Sequence, residues 1–333
     1  AQEMTERTTD LPSLHVRTLN SLALAICNGS GPFARPTSRR SPVATLDERG
    51  ARDLLDGLVP RRRRVAMHDR LAPWLAALTE ARLGLRPPWE VEAAFGGEVD
   101  GFGEVFPRYR AALDERGAVD FDEQVVRAVE ILCTDPPARH VAQRACRVLL
   151  ADEFQDLTPA HLLLLRLLAA PGYDLFGVGD DDQTIYGFSC ASPDWLVDYS
   201  TYVPGAGSHA LTVNYRCPPA VVDAATNLLG RNRHRIPKTV TAAPGRPTVA
   251  GALHTITDAE PVTATVQRVR ELLETGVAPA DVAVLTRVNV TLLGPQVALA
   301  AAGMPVRSAV GPSLLERTGV DAALAWLRLA TAT

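Results

Sequence analysis

The chain has 333 residues, of which 47% are hydrophobic and 22% are charged, and its formal net charge is −4 at pH 7. This length allows two domains with separate cores, and the composition is typical of a globular protein. No apolar run is long enough to span a membrane and nothing at the N-terminus resembles a signal peptide, so we expect a cytoplasmic protein without membrane contact. The negative charge excludes a global attraction to DNA, and any such contact must come from a local groove.

The cysteine and lysine content limits which kinds of metal, disulfide and phosphate-binding site the sequence can form. Five cysteines are odd in number and widely spaced without a C-x-x-C pair, which favours free thiols over a disulfide framework or a zinc site. Lys238 is the only lysine and is preceded by Pro237, so the Gly-Lys-Thr/Ser string of a Walker A phosphate loop does not occur in this sequence. Because the chain begins at Ala1 rather than Met, we expect it to be a fragment or a processed piece of a longer protein.

The first part of the chain predicts mainly helices. A helix is predicted over 2–8, a strand followed by a second helix over 14–24, and a loop rich in Gly, Pro, Ser and Arg over 28–41. Residues 42–140 predict a mostly helical insertion, since amphipathic segments are broken by prolines and glycines and no strand pattern occurs. Arg61–Arg64 within it are candidate DNA-backbone contacts, although the exposed surface of an arginine-rich helix end is the more ordinary interpretation.

Alternation of strands and helices begins after residue 144. A strand over 147–151 precedes a helix with Thr158 as its N-cap, and a strand over 175–179 ends at a Gly-Asp-Asp-Asp-Gln loop. A second unit starts near residue 210. Its predicted elements are a strand over 210–213, a helix from Pro218 to Gly230, a buried strand over 281–286, a helix over 291–302 ended by Gly303, and a last helix over 320–329.

Two adjacent carboxylates follow the predicted strand over 147–151. Buried parallel strands deliver charged groups to the carboxyl edge of an α/β sheet. Asp152 is placed there to hold Mg²⁺, directly or through water, and Glu153 to orient or deprotonate a water molecule. For an isolated pair, a solvated helix cap would be the better explanation, so the interpretation depends on the motifs that follow.

Three ordered motifs resemble those of the UvrD/Rep group of superfamily 1 DNA helicases, whose motor hydrolyses ATP between two RecA-like domains. The motifs are Asp152-Glu153-Phe154-Gln155-Asp156, the run Gly-Asp-Asp-Asp-Gln-Thr-Ile-Tyr-Gly-Phe over 179–188, and Leu-Thr-Val-Asn-Tyr-Arg over 211–216. The resemblance implies an α/β fold with tandem RecA-like (P-loop NTPase) domains, parallel sheets and a helical insertion. It assigns 1–41 and 141–209 to the first RecA-like domain, 42–140 to the insertion and 210–333 to the start of the second RecA-like domain.

The resemblance also implies a nucleotide site that takes ATP and Mg²⁺. Asp152 would be the metal ligand and Glu153 the residue that positions water. Gln183 would contact the γ-phosphate, and Arg216 would reach it across the interdomain cleft as an arginine finger in cis. Tyr215 matches the position that stacks on the adenine. A lone glutamine or an isolated Asn-Tyr-Arg would carry no such meaning, and the order of the motifs supplies it.

A path for single-stranded DNA is implied beside the nucleotide site. Thr18 and Ser21 match a strand-to-helix turn that contacts the DNA backbone, and Tyr186 and Phe188 match aromatics on which bases stack. Ordinary core packing is the alternative for Phe188. Three residues depart from the family pattern and leave the coupling of DNA to nucleotide in question: Leu19, Asn20 and Ser189.

Two further segments have an ordinary structural interpretation as well as a functional one. Residues 119–122 resemble a segment that returns the chain from the insertion, and we expect them to be structural. The basic cluster before residue 239 is a candidate contact for DNA phosphates, although an exposed helix end is the more ordinary interpretation. Its members are Arg231, Arg233, His234, Arg235 and Lys238.

The function implied by the resemblance is that of a 3′–5′ DNA helicase acting in DNA repair or recombination. The whole protein would couple Mg-ATP hydrolysis to translocation on single-stranded DNA and to unwinding of the duplex, while residues 1–333 alone would be inactive. Two alternatives stay open, a helicase–nuclease subunit for double-strand break processing and a motor-dead binding module. The implied partners are single-stranded and duplex DNA and ATP, and any nuclease or repair partner is left open.

Overall fold

The computed structural model describes residues 14–34, 42–60, 69–172, 174–248 and 253–307, together with the single positions 6, 8 and 10. The chain divides into two compact units, Ala1–Pro247 and Thr248–Thr333. Across the described ranges, no helix is long and apolar enough to cross a membrane.

The larger unit contains most of the regular structure. Its helices are α1 Leu19–Asn28, α2 Glu48–Asp56, α3 Ala72–Arg82, α4 Pro88–Ala94, α5 Phe102–Glu115, α6 Phe121–Thr134, α7 Pro136–Ala145, α8 Pro159–Ala169, α9 Asp194–Val197, α10 Tyr199–Tyr202 and α11 Pro219–Leu229. Its strands are β1 Ala44–Thr45, β2 Ala118–Val119, β3 Leu149–Ala151, β4 Leu175–Gly177, β5 Val213–Asn214 and β6 Thr241–Ala242. The smaller unit contributes α12 Pro261–Glu274 and α13 Leu293–Ala301.

All strands of the described part pair in parallel, as three two-stranded sheets: β1 with β2, β3 with β4, and β5 with β6. In the central sheet Leu149 lies opposite Leu175, and Ala151 lies opposite Gly177. Parallel strands need a crossover connection, and helix α8 supplies it between β3 and β4. The fold is therefore α/β with short parallel sheets and many helices, and the tandem RecA-like arrangement stays a prediction.

Three apolar clusters form the core of the larger unit. One joins α1, α6 and α8 around residues such as Ile26 and Leu164. A second lies entirely among helices α2 to α5 and includes Phe102 and Tyr109. The third packs beneath β3 and β4 and contains Phe154, which is fully buried. Helices α2 to α5 thus share a core of their own, whereas α6 packs against α1 and α8. The boundaries of the predicted insertion, 42–140, stay a prediction.

Several helix ends lie where the sequence predicts them. Thr158 caps α8, with Pro159 in the first turn, and the capping box is completed by the His161 side chain. Helix α11 starts after Pro218 and ends at Gly230. Gly303 follows α13 with a φ of +74°. These signals act within one turn of helix, so they do not depend on the rest of the fold.

Some predicted strands were wrong or too long. The strand predicted over 281–286 is wrong: residue 281 ends a 3₁₀ turn, and no described segment pairs with residues 282–286. The predicted strand before α1 is likewise unpaired. The strand predicted over 210–213 is reduced to β5. Conversely, the range 42–140, predicted to lack strands, contains β1 and β2. Three predicted features lie largely or wholly outside the described residues: the helix over 2–8, Arg61–Arg64 and the helix over 320–329.

Candidate functional site

The two acidic motifs leave adjacent strands of the central sheet. Beyond the pair Ala151 and Gly177, the Val178 amide donates to the Ala151 carbonyl at 2.8 Å, and the Phe154 amide donates to the Val178 carbonyl at 2.8 Å. These bonds keep the chains side by side as they leave the sheet. Asp152 and Glu153 therefore lie next to the loop that begins at Gly179, as expected for the carboxyl ends of parallel strands.

Glu153 has an unusual backbone conformation. Its φ is +51° and its ψ is +47°, in the left-handed region that residues with a side chain rarely adopt. Such a conformation costs on the order of 1–2 kcal/mol and persists when surrounding contacts impose it. Here Asp152 Oδ1 accepts a hydrogen bond from the Glu153 amide at 3.1 Å, and both carboxylates are exposed to solvent.

A buried glutamine connects the two motifs. Gln155 is 2% exposed. Its Nε2 donates to Glu153 Oε2 at 2.7 Å, while its Oε1 accepts from the Asp180 amide at 3.0 Å. Both ends of one amide are thus used to hold the Glu153 carboxylate and the start of the neighbouring loop. The sequence predicts Gln155 only as part of a motif; its position next to the apolar Phe154 is the signal that could have indicated a buried polar residue.

Gln183 lies on the 3₁₀ turn Asp181–Gln183, which is capped by the Asp180 side chain. Asp180 Oδ1 accepts from the Asp182 amide at 3.2 Å, and Asp180 Oδ2 accepts from Gln183 Nε2 at 2.8 Å. Gln183 is exposed but its amide is held by this contact. The glutamine therefore lies on a structured turn one strand away from Glu153.

The acidic loop is neutralised by cations from the segment after α11. Lys238 Nζ lies 2.5 Å from Asp180 Oδ1, 2.5 Å from Asp181 Oδ1 and 3.2 Å from Asp182 Oδ2. Burial alone would lower the Lys238 pKa, but hydrogen bonds to Asp180 and Asp181 outweigh it and raise the pKa to about 12. Burial would likewise raise the Asp180 pKa, and the hydrogen bonds from Lys238 and Gln183 hold it below its ordinary value.

This pairing corrects the ordinary interpretation of part of the basic cluster. Arg235 donates to Asp182 at 2.6 Å and Lys238 contacts the whole acidic trio, so neither is an exposed helix end. Their contact with DNA phosphates stays a prediction. Arg231 and Arg233 are exposed, as the ordinary interpretation predicts. Ion pairing between residues more than 50 positions apart decides the difference.

The third motif turns sharply after β5. Asn214 Oδ1 accepts from the Arg216 amide at 2.9 Å and from the Cys217 amide at 2.8 Å, which forms an Asx turn. This turn presents Tyr215 and Arg216 to solvent, and both are exposed. Within the described part of the chain, the Arg216 side chain makes no hydrogen bond or ion pair with Glu153. The gathering of these groups around a nucleotide stays a prediction.

The aromatic pair after Gln183 lies at the surface. Tyr186 and Phe188 have ring centroids 5.9 Å apart with the planes at 68°, an edge-to-face contact. Phe188 is 82% exposed and Tyr186 46% exposed. Core packing, the alternative considered for Phe188, is therefore wrong. Two exposed rings side by side are suited to stacking on unpaired bases.

The turn at the start of α1 combines two predicted phosphate contacts, Thr18 and Ser21, with two departures from the family pattern, Leu19 and Asn20. Thr18 caps the helix, and its Oγ1 accepts from the Ser21 amide at 3.2 Å, while Ser21 Oγ donates to the Thr18 carbonyl at 2.9 Å. Both residues are exposed. Asn20 Nδ2 donates to the Phe121 carbonyl at 2.7 Å, so this departure has a structural role that ties α1 to α6.

The segment over 119–122 is structural, as predicted. Asp120 caps α6 and accepts hydrogen bonds from the Arg82 guanidinium at 2.7 Å and from the Tyr109 hydroxyl at 2.6 Å. Arg82 and Asp120 are both buried. The guanidinium holds the pKa of Asp120 below its ordinary value against the opposing effect of burial. A buried cation thus ties the end of α3 to the start of α6.

Comparison with known proteins agrees with these motifs. Residues 1–203 match the family model of the UvrD/REP helicase N-terminal domain. DNA helicase II of Escherichia coli (strain K12) is 34% identical over 230 residues, which cover 68% of this chain and 31% of that protein. The putative ATP-dependent DNA helicase YjcD of Bacillus subtilis (strain 168) is 30% identical over 208 residues, or 62% of this chain and 26% of that protein.

A mycobacterial relative has a comparable identity and coverage. ATP-dependent DNA helicase UvrD2 of Mycobacterium tuberculosis (strain ATCC 25618 / H37Rv) is 31% identical over 227 residues, which cover 66% of this chain and 32% of that protein. The chain spans at most about a third of the length of these three relatives. Since the family model covers more than half of the residues and the acidic motifs lie on adjacent strand ends, the chain belongs to the UvrD/REP family of superfamily 1 helicases.

Proposed function

We propose that this chain is part of an ATP-dependent 3′–5′ DNA helicase that translocates on single-stranded DNA and unwinds duplex DNA in repair or recombination. The relatives are named as DNA helicases, and most of those names include ATP dependence. In this proposal the chain supplies parts of two RecA-like domains, 1–41 with 141–209 and 210–333, separated by the insertion 42–140.

The observation that carries the proposal is the Gln155 bridge. Its amide joins the Glu153 carboxylate to the loop of Gln183, with both hydrogen bonds at 3.0 Å or less. Hydrolysis of ATP needs a group that positions the attacking water and a group that senses the γ-phosphate. A rigid connection between Glu153 and the Gln183 loop is therefore the arrangement that such a reaction requires.

The metal would be held by Asp152. Mg²⁺ in nucleotide sites is bound by one or two carboxylates together with water and phosphate oxygens, and an exposed carboxylate at a strand end suits this coordination. The Asp180–Asp182 trio has metal-ligand spacing, but the Lys238 ammonium and Arg235 already contact it. When bound, Mg²⁺ would neutralise charge that develops on the phosphates.

The remaining roles follow the turns described above. The Asx turn at Asn214 would present Tyr215 to the adenine and Arg216 to the γ-phosphate. For DNA, Tyr186 and Phe188 would stack on bases, a contact worth roughly 1–3 kcal/mol per base. The exposed hydroxyls at the start of α1, those of Thr18 and Ser21, would contact backbone phosphates.

The test is DNA-stimulated hydrolysis of ATP by a polypeptide that joins this chain to a phosphate loop and the later motifs of the family. Glu153→Gln should lower turnover by about 10²–10⁴-fold and spare nucleotide binding, because the amide cannot accept a proton from water. Glu115→Gln is the matched control, since Glu115 is also exposed and lies at the end of α5. Wild-type turnover in Glu153→Gln would contradict the assigned role.

Residues 1–333 alone should hydrolyse no ATP. Without a Gly-Lys-Thr/Ser loop, nothing in this sequence supplies the lysine and the cradle of backbone amides that hold the β- and γ-phosphates. Positioning provides most of the catalysis in phosphoryl transfer, so the other groups cannot compensate. Robust DNA-stimulated hydrolysis by residues 1–333 would overturn this account, and no hydrolysis by the completed polypeptide would favour the motor-dead alternative.

A further inference from the structure

Lys238 has an environment that no other residue of the described chain shares. Its ammonium contacts three consecutive carboxylates, those of Asp180, Asp181 and Asp182. These carboxylates lie within 4.8 Å of one another, so they repel each other strongly unless a cation lies among them. Lys238 is also the only lysine among the 34 lysine and arginine residues of the chain. The single lysine of the sequence therefore lies where three consecutive carboxylates converge.

The chemistry of the two basic side chains accounts for this choice. An ammonium is a compact charge with three donors that point in different directions, so one Lys238 Nζ reaches three carboxylates. A guanidinium is planar and divides such contacts among its nitrogens: Arg82 pairs with Asp120 through one terminal nitrogen and with Asp122 through the other. Arg235, within the same cluster as Lys238, forms an ion pair with Asp182.

The segment that contains Lys238 holds the loop through more than one contact. Lys238 and the acidic residues are 57 or 58 positions apart, so the contacts are tertiary. The others are the Ile236 amide donating to Asp181 Oδ2 at 2.8 Å, Arg235 donating to Asp182 Oδ2 at 2.6 Å, and Asn232 Nδ2 donating to Asp182 Oδ1 at 3.4 Å. Residues 232–238 therefore form a clamp on the acidic loop.

Asp180 connects residues 232–238 to Gln183 and Glu153, the two groups of the proposed reaction. One of its carboxylate oxygens contacts Lys238 and the other accepts from Gln183 Nε2. Its backbone amide donates to Gln155, which in turn holds Glu153. Displacement of Asp180 would therefore shift Gln183 and weaken the connection to Glu153.

We propose that Lys238 is a positioning residue that fixes Gln183 and Glu153 through Asp180. This inference rests on the proposed function, in which these two residues act on the γ-phosphate and on water. In the proposed domain map, the clamp joins the first RecA-like domain, 141–209, to the start of the second. Lys238 thus makes the position of the γ-phosphate sensor depend on the segment that follows Arg216 and α11.

The first test uses residues 1–333 and hydrogen–deuterium exchange. Lys238→Met should speed exchange of the loop amides by about tenfold or more, because the three carboxylates lose the ammonium that they share and their mutual repulsion opens the turn. The reporter amides include that of Gln183, which donates to the Asp180 carbonyl at 2.9 Å. His234→Ala is the matched control, since His234 lies in the same segment but contacts Asp194, outside the loop. Unchanged exchange in Lys238→Met would overturn the proposal.

The second test uses DNA-stimulated hydrolysis by the completed polypeptide. Lys238→Met should lower kcat by about 10- to 100-fold, since misplacement of a catalytic group by about 1 Å has effects of this size. The KM for ATP should change less than kcat, because the clamp itself touches no nucleotide and, of the proposed contacts to ATP, only that of Gln183 would be displaced. Lys238→Arg, which keeps the charge, should recover part of kcat but not all of it.

The positioning role of Lys238 and the proposed helicase function can be tested separately. A purely structural Lys238 would lower the fraction of active protein and leave the kcat of the folded fraction unchanged, which would overturn the positioning role. Full activity in Lys238→Arg would overturn the argument for an ammonium, and this variant serves if Lys238→Met does not fold. If the unsubstituted polypeptide hydrolyses no ATP, the proposed function and the catalytic part of this inference both fail, whereas loop exchange still decides the structural part.

Discussion

The substitution Gly179→Ala tests the connection between the two acidic motifs. A Cβ at this position would lie 2.4 Å from Gln155 Oε1, 2.9 Å from Leu196 Cδ1 and 3.0 Å from the Phe154 amide nitrogen. Two of these neighbours are a buried side chain and a backbone atom with little room to move. The methyl group must therefore push Gln155 away from the Asp180 amide or displace the end of the strand.

The size of the effect follows from these two responses. Overpacking by one methyl group in a filled site costs about 1–3 kcal/mol. Loss of a hydrogen bond by a buried polar group adds about 1–3 kcal/mol, and Gln155 is 2% exposed, so solvent has little access to its amide. When both responses occur, we expect the free energy of unfolding to fall by about 2–6 kcal/mol. In the completed polypeptide, kcat should fall as well, because Glu153 loses the support of Gln155.

Urea denaturation followed by circular dichroism measures this loss. Gly187→Ala is the matched control, since a Cβ at Gly187 would meet nothing within 4 Å. The control should change the free energy of unfolding by no more than about 0.5 kcal/mol. Equal stability of Gly179→Ala and Gly187→Ala would refute the reasoning that the Gln155 bridge is closely packed.

Three further predictions concern other parts of the larger unit. Arg82→Met leaves the Asp120 carboxylate buried without its cation, and urea denaturation should show a loss of about 3–5 kcal/mol, whereas a loss below about 1 kcal/mol would contradict the buried pair. Burial lowers the pKa of His161 to about 4 from 6.5, so the folded state disfavours the imidazolium. The free energy of unfolding should therefore fall as pH decreases from 6.5 to about 4. His161→Gln should reduce this pH dependence, and an unchanged dependence in the variant would show that His161 is not its source. In the completed polypeptide, Tyr186→Ala with Phe188→Ala should weaken binding of a labelled oligothymidylate by at least about tenfold without loss of ATP binding, and unchanged affinity would remove both rings from the proposed DNA path.

Local signals in the amino-acid sequence were enough for the helix ends and for the order of the motifs. Thr158 and Gly230 mark the ends of their helices because a cap acts within one turn of the chain. The placement of Asp152 beside the loop of Gln183 was also predictable, because parallel strands end at a common edge. Such predictions require only the residues of one element or a general rule about how elements join.

Contacts between distant segments required the tertiary structure. The pairing of Lys238 with the acidic trio joins residues 57 or 58 positions apart, and nothing near Lys238 in the sequence indicates it. The same holds for the exposure of Phe188 and for the missing strand over 282–286, which depend on whether a neighbouring segment covers or pairs with them. Local hydrogen bonds and caps are decided by residues a few positions apart, whereas charge pairing, burial and strand pairing are decided only when the whole chain brings distant residues together.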